Sequence, residues 1–368
     1  MLYLCDYDMW NKIHDVIILW AWPAWLFCAY KISDWKNILI LEKSGSPAQK
    51  LLLSAKWRWN ITNISIDPRK DYATDDWNFV KSAFEKFWTK NFLDFSNEKW
   101  IQLKEENNWR ILLKSDKVEE FQEKLLKLVE NKWIEIKYNS NFLSAKNVDN
   151  VFEIKTSSWT YQSKNFIVAT WWPSFSQLWA TWIAIDIAQS FWLKTMPYYP
   201  ALVGFETNQD FSSLSWSSVI GVLKLLEWEK VIYEESWPIL FTHRWVSGPA
   251  VFNASLFMRK KLKKYRVRLS ISDKKITKRL LSFLWFRVNK LKEYIISSNI
   301  VNVRWLDEAK VCWWGVKTGN LNPYFECKNI QWLYFIWECV DVTWKTWWYN
   351  LQRCWTSGAV CAEWINQK

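Results

Sequence analysis

Glycine is nearly absent from this chain. It accounts for 7 of the 368 residues, whereas an average usage of about 7% would give roughly 26. Tryptophan, which is normally rare, occurs 33 times. A globular chain needs glycine wherever its backbone adopts a positive φ or closely approaches another backbone. The sequence therefore lacks the residue that its own turns require.

The tryptophans stand where turn glycines usually stand. They fall in ATWWPS (169–174), CWWGV (312–316) and VTWKTWWYN (342–350), among the polar residues that typically surround turns. Some bacterial lineages read the codon UGA as glycine, and the standard code converts each such codon into tryptophan. We therefore interpret most of these tryptophans as glycines and expect Trp77 and Trp355 to be genuine. The alternative is a truly Trp-rich membrane-interface or carbohydrate-stacking protein, which would show amphipathic aromatic stripes.

Paired cysteines and long apolar runs are also missing. The seven cysteines include no Cys-x-x-Cys pair, which disfavours a disulfide framework, a zinc site and a dithiol redox centre. Acidic residues precede the first apolar run, so no cleavable signal is expected. The uncharged span Val16–Tyr30 has 15 residues, short of the roughly 20 that cross a bilayer. We expect a soluble, cytoplasmic protein with no membrane partner and no metal.

Positive charge is concentrated in one segment. The chain carries a net charge of +12, and residues 259–292 hold 14 Lys and Arg against one acid. A solvated, lysine-rich face is the ordinary interpretation of such a segment. The functional alternative is a surface for nucleic acid or another anionic partner.

Hydrophobic patterning predicts a βαβ unit at the start of the chain. Residues 15–19 and 37–42 are typical of buried parallel strands, and 23–33 of the helix between them. An amphipathic helix is expected at 121–132. Further strands are expected at 134–138, 151–156, 165–170 and 333–336, and a final helix after Trp348.

The middle of the chain differs in character. From about Tyr198 to Asn302 it contains alternating strand-like segments and a short basic helical part, after which glycine-site turns return. We therefore predict a nucleotide-binding α/β domain at 1–197 and 303–368, interrupted by a second domain at 198–302.

The first strand-to-helix turn carries a dinucleotide fingerprint once glycine is restored. Residues 20–25 then read G-A-G-P-A-G, with glycine in place of Trp20, Trp22 and Trp25. In a Rossmann turn these glycines permit the tight bend, the approach of the pyrophosphate and close helix packing. Glu42 lies 22 residues after Trp20, where an acid for the ribose hydroxyls is expected. Indoles at these positions would fill the pyrophosphate site.

Four further blocks resemble one flavoprotein family. They are KLLLSAKWRWNITN (50–63), VATWWPSFSQLWATW (168–182), ILFTHRWVSGPA (239–250) and LYFIWECVDVTWKTWWYNLQ (333–352). The chain resembles the two-dinucleotide-binding-domain flavoproteins. Among them it is similar to the NAD(P)/FAD-dependent oxidoreductases that include aminoacetone-oxidase-like and 3-dehydro-bile-acid-reductase-like proteins. In the first block Ala55, Lys56 and Trp59 depart from the family pattern.

The resemblance implies bound FAD in a three-layer, GR2-type Rossmann-like domain. The fingerprint turn and Glu42 would hold the ADP half, and the 50–63 block would line the pyrophosphate and flavin. The loop around Glu338 would face the ribityl chain, and the start of the final helix would lie near the flavin pyrimidine. The predicted cofactor-binding residues are Trp20, Trp22, Ala24, Trp25, Glu42, Lys43, Ser54, Arg58, Asn60, Thr170, Trp171, Trp337, Glu338, Asp341, Trp348, Tyr349 and Asn350.

Two residues are candidate proton donors. His243 lies in the FTHR block beside the cleft that the resemblance implies, and Tyr349 lies in the closing block. For His243 a structural, hydrogen-bonded role is the alternative. The other histidine, His14, precedes the first predicted strand, and we expect it at the surface.

The resemblance also implies that the inserted region is a β-barrel-like substrate domain, here with a short helical piece at about 273–298. The chain shows one dinucleotide fingerprint, so NAD(P)H would bind transiently as co-substrate. The first functional hypothesis is hydride transfer from NAD(P)H to an activated C=C or C=N bond of a small molecule. The alternatives are an oxygen-using amine oxidase and an RNA-associated flavoprotein that docks through 259–292.

Overall fold

The computed structural model describes residues 12–20, 23–46, 60–107, 109–174, 181–243, 245–258, 262–272, 278–284 and 293–368. The strands are β1 Ile13–Leu19, β2 Ile38–Leu41, β3 Asn60–Asn63, β4 Tyr72–Ala73, β5 Leu103–Glu106, β6 Arg110–Leu113, β7 Glu135–Lys137, β8 Phe142–Val148, β9 Val151–Thr156, β10 Thr160–Val168, β11 Thr195–Ala201, β12 Phe205–Thr207, β13 Ser218–Glu227, β14 Lys230–Phe241, β15 Trp245–Ser247, β16 Tyr265–Ser272, β17 Glu293–Val303, β18 Val311–Val316, β19 Leu333–Phe335 and β20 Thr343–Trp344. The helices are α1 Pro23–Lys31, α2 Pro68–Asp71, α3 Trp77–Lys86, α4 Thr89–Glu98, α5 Val118–Glu130, α6 Ile183–Ser190, α7 Pro249–Ser255, α8 Lys278–Leu284 and α9 Thr346–Gln367.

A mixed sheet forms the centre of the first domain. Its strand order is β7-β2-β1-β10-β9-β8, and β19 also pairs with β10. Strands β2, β1, β10 and β19 run parallel, while β9 is antiparallel to β10. Residues Val16–Leu19 of β1 are fully buried, as a parallel strand covered on both faces requires. The predicted βαβ start is confirmed, with α1 ending at Lys31.

A layer of helices covers the sheet through aromatic packing. Helix α1 packs on α9, the last helix of the chain. Phe27 of α1 makes edge-to-face contacts with Phe95 (ring centroids 4.9 Å apart) and Trp355 (5.5 Å). The C-terminal helix is therefore part of the same core as the first strand.

The second domain is a closed barrel with its own core. Six strands close in the order β12-β15-β14-β13-β16-β17. Leu223, Phe241, Leu269 and Ile296 are among its buried interior residues. Strands β11 and β18, which pair antiparallel, carry the chain out to the barrel and back. A Rossmann-like α/β domain with an inserted barrel is thus the observed architecture.

One prediction within the barrel is wrong. The short helical piece expected at about 273–298 includes α8, but residues 293–298 belong to strand β17. Tyr294, Ile296 and Ser298 are buried while Ile295 and Ser297 are exposed, which is the two-residue period of a strand. Residues 273–277 and 285–292 of this piece lie outside the described residues.

Within the described ranges, none of the helices has both the length and the apolar character of a membrane span.

Candidate functional site

The carboxyl ends of four parallel strands meet at one edge of the sheet. Leu19 of β1 is in register with Leu41 of β2 and Val168 of β10, and Val168 is in register with Phe335 of β19. The chain turns in opposite directions on the two sides of β1, which makes this a topological switch point. In open α/β sheets, ligands bind in the crevice outside such carboxyl ends. We call this region the carboxyl edge; its main residues are Trp20, Glu42, Thr170 and Trp337.

Glu42 lies at the end of β2, as predicted. Its side chain is 8% exposed, and Oε1 accepts hydrogen bonds from the Ser44 backbone N–H and hydroxyl, both at 2.7 Å. Burial raises the pKa of this carboxyl above its usual value, against the lowering effect of Ser44. A buried carboxylate anchored by one oxygen is well placed to accept ribose hydroxyls. The adjoining Lys43 is half-buried.

The turn after β1 has a backbone that suits glycine. Trp20 has a φ of +85°, and its N–H donates to the Leu41 carbonyl at 2.7 Å. The Trp20 side chain is 8% exposed and that of Trp25, on α1, is 1% exposed. Neither indole N–H has a hydrogen-bond partner among the described residues. Trp22 and the Ala24 side chain lie outside them.

Two of the predicted cofactor-binding residues carry buried oxygen atoms without partners among the described residues. Asn60 Oδ1 on β3 and Thr170 Oγ1 after β10 have none within the part of the chain that the structure describes. Leaving such a group unpaired costs about 1–3 kcal/mol, so a polar ligand would stabilise both. Their chemistry fits a dinucleotide such as FAD. The indoles at Trp20 and Trp25 do not fit, because they occupy the turn that the pyrophosphate approaches.

The loop after β19 is held by a buried arginine. Trp337, with a φ of +63°, begins this loop, and its ring lies edge-to-face on Trp171 at 5.9 Å. Arg353 of α9 donates to the carbonyls of Trp337 (2.5 Å) and Val340 (3.1 Å), and also to that of Val342. Burial lowers the pKa of Arg353 to about 10. This arginine, which sequence reasoning missed, positions the predicted loop.

The two predicted acids of this loop are both buried. Glu338 is 6% exposed and Asp341 is 5% exposed. Lys317, which follows β18, donates to Asp341 Oδ2 at 2.6 Å and lies 3.7 Å from Asp75. The carboxylate of Asp341 is therefore neutralised within the protein. No sequence signal linked Lys317 to it, since the two residues lie on different elements.

Tyr349 lies in the first turn of α9, facing the barrel domain. Its carbonyl accepts a hydrogen bond from the Tyr72 hydroxyl at 2.7 Å, and burial raises the pKa of its own phenol. Lys345, just before α9, has its Nζ 5.8 Å from the ring centroid of Tyr233 on β14. The start of α9 thus lies against the barrel. Trp348 and Asn350 belong to α9, but their side chains lie outside the described residues.

Where it meets α9, the barrel contributes a polar cluster that the sequence did not reveal. Glu235 of β14 accepts hydrogen bonds from the buried Asn253 amide of α7, at 3.2 Å and 3.0 Å to its two oxygens. Burial and the charge of Glu235 raise the pKa of Tyr233. We call Tyr233, Glu235, Asn253, Lys345 and Tyr349 the α9–barrel cluster.

The two histidines occupy different settings. His243 is exposed, in the turn between β14 and β15, with its ring edge-to-face on Trp216 at 6.2 Å. The expectation that His14 is a surface residue is wrong. It lies on β1, is 5% exposed, and its Nδ1 is 3.2 Å from Asn37 Oδ1. Burial lowers the pKa of His14.

The structure describes only part of two other predicted sets of residues, the 50–63 block and the basic segment 259–292. Ser54 and Arg58 lie outside the described residues. In the basic segment, Lys264 pairs with Glu227, and Arg266 and Arg268 pair with Glu229 at 2.6 Å and 3.7 Å. These described cations are therefore neutralised locally.

Comparison with known proteins places the chain in a family. A family profile described as "HI0933-like protein Rossmann domain" matches residues 14–364. The ribosomal RNA dihydrouridine synthase of Haemophilus influenzae is 27% identical and aligns over 97% of this chain and 100% of its own length. The 3-dehydro-bile acid delta(4,6)-reductase of Clostridium scindens is 23% identical, over 88% of this chain and 91% of its length.

The fold also matches a solved structure. A 3-ketosteroid-delta4-(5alpha)-dehydrogenase from Rhodococcus jostii RHA1 superposes with a TM-score of 0.57 at 9% identity, covering 99% of both chains. At that identity the likeness concerns the fold alone. The match to the Clostridium scindens enzyme confirms the predicted resemblance to 3-dehydro-bile-acid-reductase-like proteins. Because the profile covers nearly its whole length, the chain belongs to the HI0933-like Rossmann-domain family.

Proposed function

We propose that this protein is an FAD-dependent reductase that adds hydrogen across an activated C=C bond, with NAD(P)H as electron source. The observation that carries the proposal is the carboxyl edge. Glu42 is a buried acid next to the strand-to-helix turn after β1, and buried oxygen atoms of Asn60 and Thr170 have no partner among the described residues. The family membership and the fold likeness to a flavin-type dehydrogenase support the same cofactor.

For the cofactor we propose a division of roles within this edge. Glu42 would bind ribose hydroxyls, and Asn60 with Thr170 would bind the pyrophosphate and flavin side. Glu338 and Asp341 would lie toward the ribityl chain, where Lys317 offsets the charge of Asp341. The remaining predicted members of the 50–63 block, Ser54 and Arg58, stay predictions. FAD supplies the redox chemistry, and these residues only bind it.

The substrate we propose is a uridine of ribosomal RNA. The names of two relatives describe different substrates, RNA and a bile acid, yet both imply saturation of a C=C bond conjugated to a carbonyl. The RNA-modifying relative aligns over nearly all of this chain and all of its own length. A uracil ring offers the activated C=C bond that the sequence hypothesis required. RNA docking through 259–292 stays a prediction; of its described cations, Lys264, Arg266 and Arg268 are ion-paired and Arg279 donates to the carbonyls of Ser213 and Ser215.

Tyr349 is the proton donor that we favour. Burial raises the pKa of its phenol, which stays protonated at neutral pH, and Lys345 lies at the start of the same helix, where a cation would stabilise charge that develops on oxygen. His243 remains the second candidate, from the exposed β14–β15 turn.

Stopped-flow spectroscopy of the flavin-loaded protein tests this function. NADPH should bleach the flavin anaerobically, and an unmodified ribosomal RNA fragment should restore its colour. Tyr349→Phe should leave bleaching intact and slow recolouring by about 10²–10⁴-fold, the usual range for a lost general acid. The same measurement on His243→Gln tests the second candidate, because recolouring slowed by this change and not by Tyr349→Phe would assign proton donation to His243. Reduction by a small amine with reoxidation by air would instead indicate an oxidase.

A further inference from the structure

Tryptophan repeatedly occupies a backbone conformation that L-residues avoid. Among the described residues, seventeen that are not glycine have a φ between +47° and +85°, a region in which bulky side chains are outliers. Ten of these are tryptophans: Trp20, Trp100, Trp109, Trp133, Trp192, Trp216, Trp228, Trp314, Trp332 and Trp337. Glycine adopts this conformation without steric cost. We call these ten residues the left-handed tryptophans.

Helix α5 ends in a motif built for glycine. Trp133 N–H donates to the Glu130 carbonyl at 2.9 Å, and Ile134 N–H donates to the Val129 carbonyl at 3.4 Å. This bond across five residues, with a left-handed residue at Trp133, is the Schellman motif, whose left-handed position is usually glycine. Trp133 is 94% exposed, so its ring gains little from packing.

Helices α4 and α6 end in the same way. The left-handed residues are Trp100 and Trp192, and the corresponding bonds from Ile101 and Leu193 are 2.8 Å and 2.9 Å long. In both motifs the residue after the tryptophan is buried, as the hydrophobic contact of the motif requires. The indoles themselves are 78% and 94% exposed. Three helices thus end in the same motif, and each has tryptophan at the left-handed position that is usually glycine.

A hairpin repeats the pattern. Strands β13 and β14 are joined by Trp228 and Glu229, since Glu227 pairs with Lys230. Both loop residues have positive φ, +49° and +68°. That is the requirement of a type I′ turn, in which glycine is preferred and a bulky indole is not.

Buried indoles separate into two classes. Within the described residues, the buried indole N–H groups that have no hydrogen-bond partner include those of Trp20, Trp25, Trp172 and Trp344. Buried tryptophans normally find one.

Trp355 and Trp364 behave as genuine tryptophans. The Trp355 N–H donates to the Ile61 carbonyl at 3.0 Å, and its ring stacks on Phe92 at 4.7 Å. The Trp364 N–H donates to Glu326 at 2.7 Å, and its ring stacks on Tyr324 at 4.2 Å. Both lie on α9 with ordinary helical backbone.

We propose that the natural protein carries glycine at the left-handed tryptophans and at Trp25, and tryptophan at Trp355 and Trp364. UGA codons read as glycine would produce this distribution. The assignment resolves the conflict at the carboxyl edge, where the polar groups fit a dinucleotide and the indoles do not. It rests on the proposed flavin site only at Trp20, Trp25 and Trp337. Its test reads residue identity, so it and the proposed function can fail separately.

Peptide mass spectrometry of the protein purified from its own host tests the assignment. Cleavage after Lys and Arg releases residues 13–31, 133–137, 225–230 and 354–368. The first three peptides should have masses for glycine at Trp20, Trp25, Trp133 and Trp228. The matched control is 354–368, which should retain two indoles and their absorbance.

The outcomes are distinct. Glycine masses in the first three peptides together with two tryptophans in 354–368 support the proposal. Tryptophan at any left-handed position in these peptides, or glycine at Trp355 or Trp364, would overturn it. Flavin content and activity play no part in this reading, so a protein with glycine at these positions and no flavin would refute only the proposed function.

Discussion

The carboxyl edge and the helical layer below the sheet both contain buried tryptophan, but they treat it differently. In the helical layer, Trp355 of α9 packs between Phe27, Phe92 and Phe121 and donates its N–H to the Ile61 carbonyl. Shape and hydrogen bonding there are both satisfied. That environment is what an authentic indole requires.

At the carboxyl edge the same residue type is poorly accommodated. Trp20 combines a φ of +85° with an unpaired indole N–H among the described residues. Thr170 and Asn60, two other predicted cofactor-binding residues, have buried oxygen atoms without partners in the described part of the chain. The packing and hydrogen bonding of the indole in the helical layer are therefore satisfied within the protein. At the carboxyl edge, smaller residues and a polar ligand are needed to relieve the backbone conformation and to pair the buried polar atoms.

Restoring the fingerprint turn should have the largest effect. A chain carrying Trp20→Gly, Trp22→Gly and Trp25→Gly should bind FAD, because the pyrophosphate can then approach the amides of the turn and α1. The chain with indoles should bind it at least about 10³-fold more weakly, equivalent to about 4 kcal/mol. Quenching of flavin fluorescence measures both affinities. Equal affinity of the two chains for FAD would contradict the conclusion that the indoles block the cofactor site.

The second-largest effect is expected from truncating Trp355, the tryptophan of the helical layer. Trp355→Ala should lower the free energy of unfolding by about 3–5 kcal/mol, the usual cost of emptying a large buried site. Denaturant titration checks this. Trp355→Phe keeps most of the volume and should cost less, which separates packing from the lost hydrogen bond. If a Trp355→Gly chain were as stable as the parent, our assignment of Trp355 as a genuine tryptophan would be wrong.

A smaller effect is expected at a helix end far from the cofactor. Trp133→Gly should stabilise the chain by about 1–2 kcal/mol by relieving a left-handed backbone. The control is Trp35→Gly, which replaces another exposed tryptophan (70% against 94% for Trp133) whose φ is not positive. That change should be neutral or destabilising by up to about 1 kcal/mol. Thermal melts of both variants measure these changes in stability. Stabilisation by both substitutions would show that the left-handed backbone at Trp133 is not the cause.

The smallest effect concerns the amino end of β1. Burial lowers the pKa of His14 in the folded state, so the unfolded chain binds its proton more readily. The stability associated with neutral His14 is complete above the unfolded pKa of about 6.5 and is lost as the pH falls through the folded value. His14→Gln should flatten this loss, because the group whose pKa burial lowers is then absent. Unchanged melting profiles between pH 7.5 and 5 would contradict it.

Local patterns were sufficient to predict the start of the fold. The apolar runs of β1 and β2 and the spacing to Glu42 predicted the βαβ unit and placed its acid. The same reasoning misplaced His14, because β1 begins at Ile13 and Asn37 supplies a buried partner from the next strand. It also extended a helix over residues 293–298, where strand alternation is visible only against the barrel interior.

Tertiary contacts at the candidate site were beyond local patterns. Lys317 and Arg353 act on residues from other elements, namely Asp341 and the carbonyls of the 337–342 loop. Glu235 and Asn253 come from the inserted barrel and meet across 18 residues of sequence. No spacing rule joins such pairs before the chain is folded. The unsuitable tryptophans, in contrast, were already visible from composition and turn context.

The flavin content of the protein purified from its own host tests the central claim most directly. Acid extraction followed by chromatography should release FAD in about equal amount to the protein, and the purified protein should be yellow. In the same preparation we expect the protein to carry glycine at its first strand-to-helix turn. A colourless protein that takes up no added FAD, with indoles at Trp20 and Trp25, would contradict it.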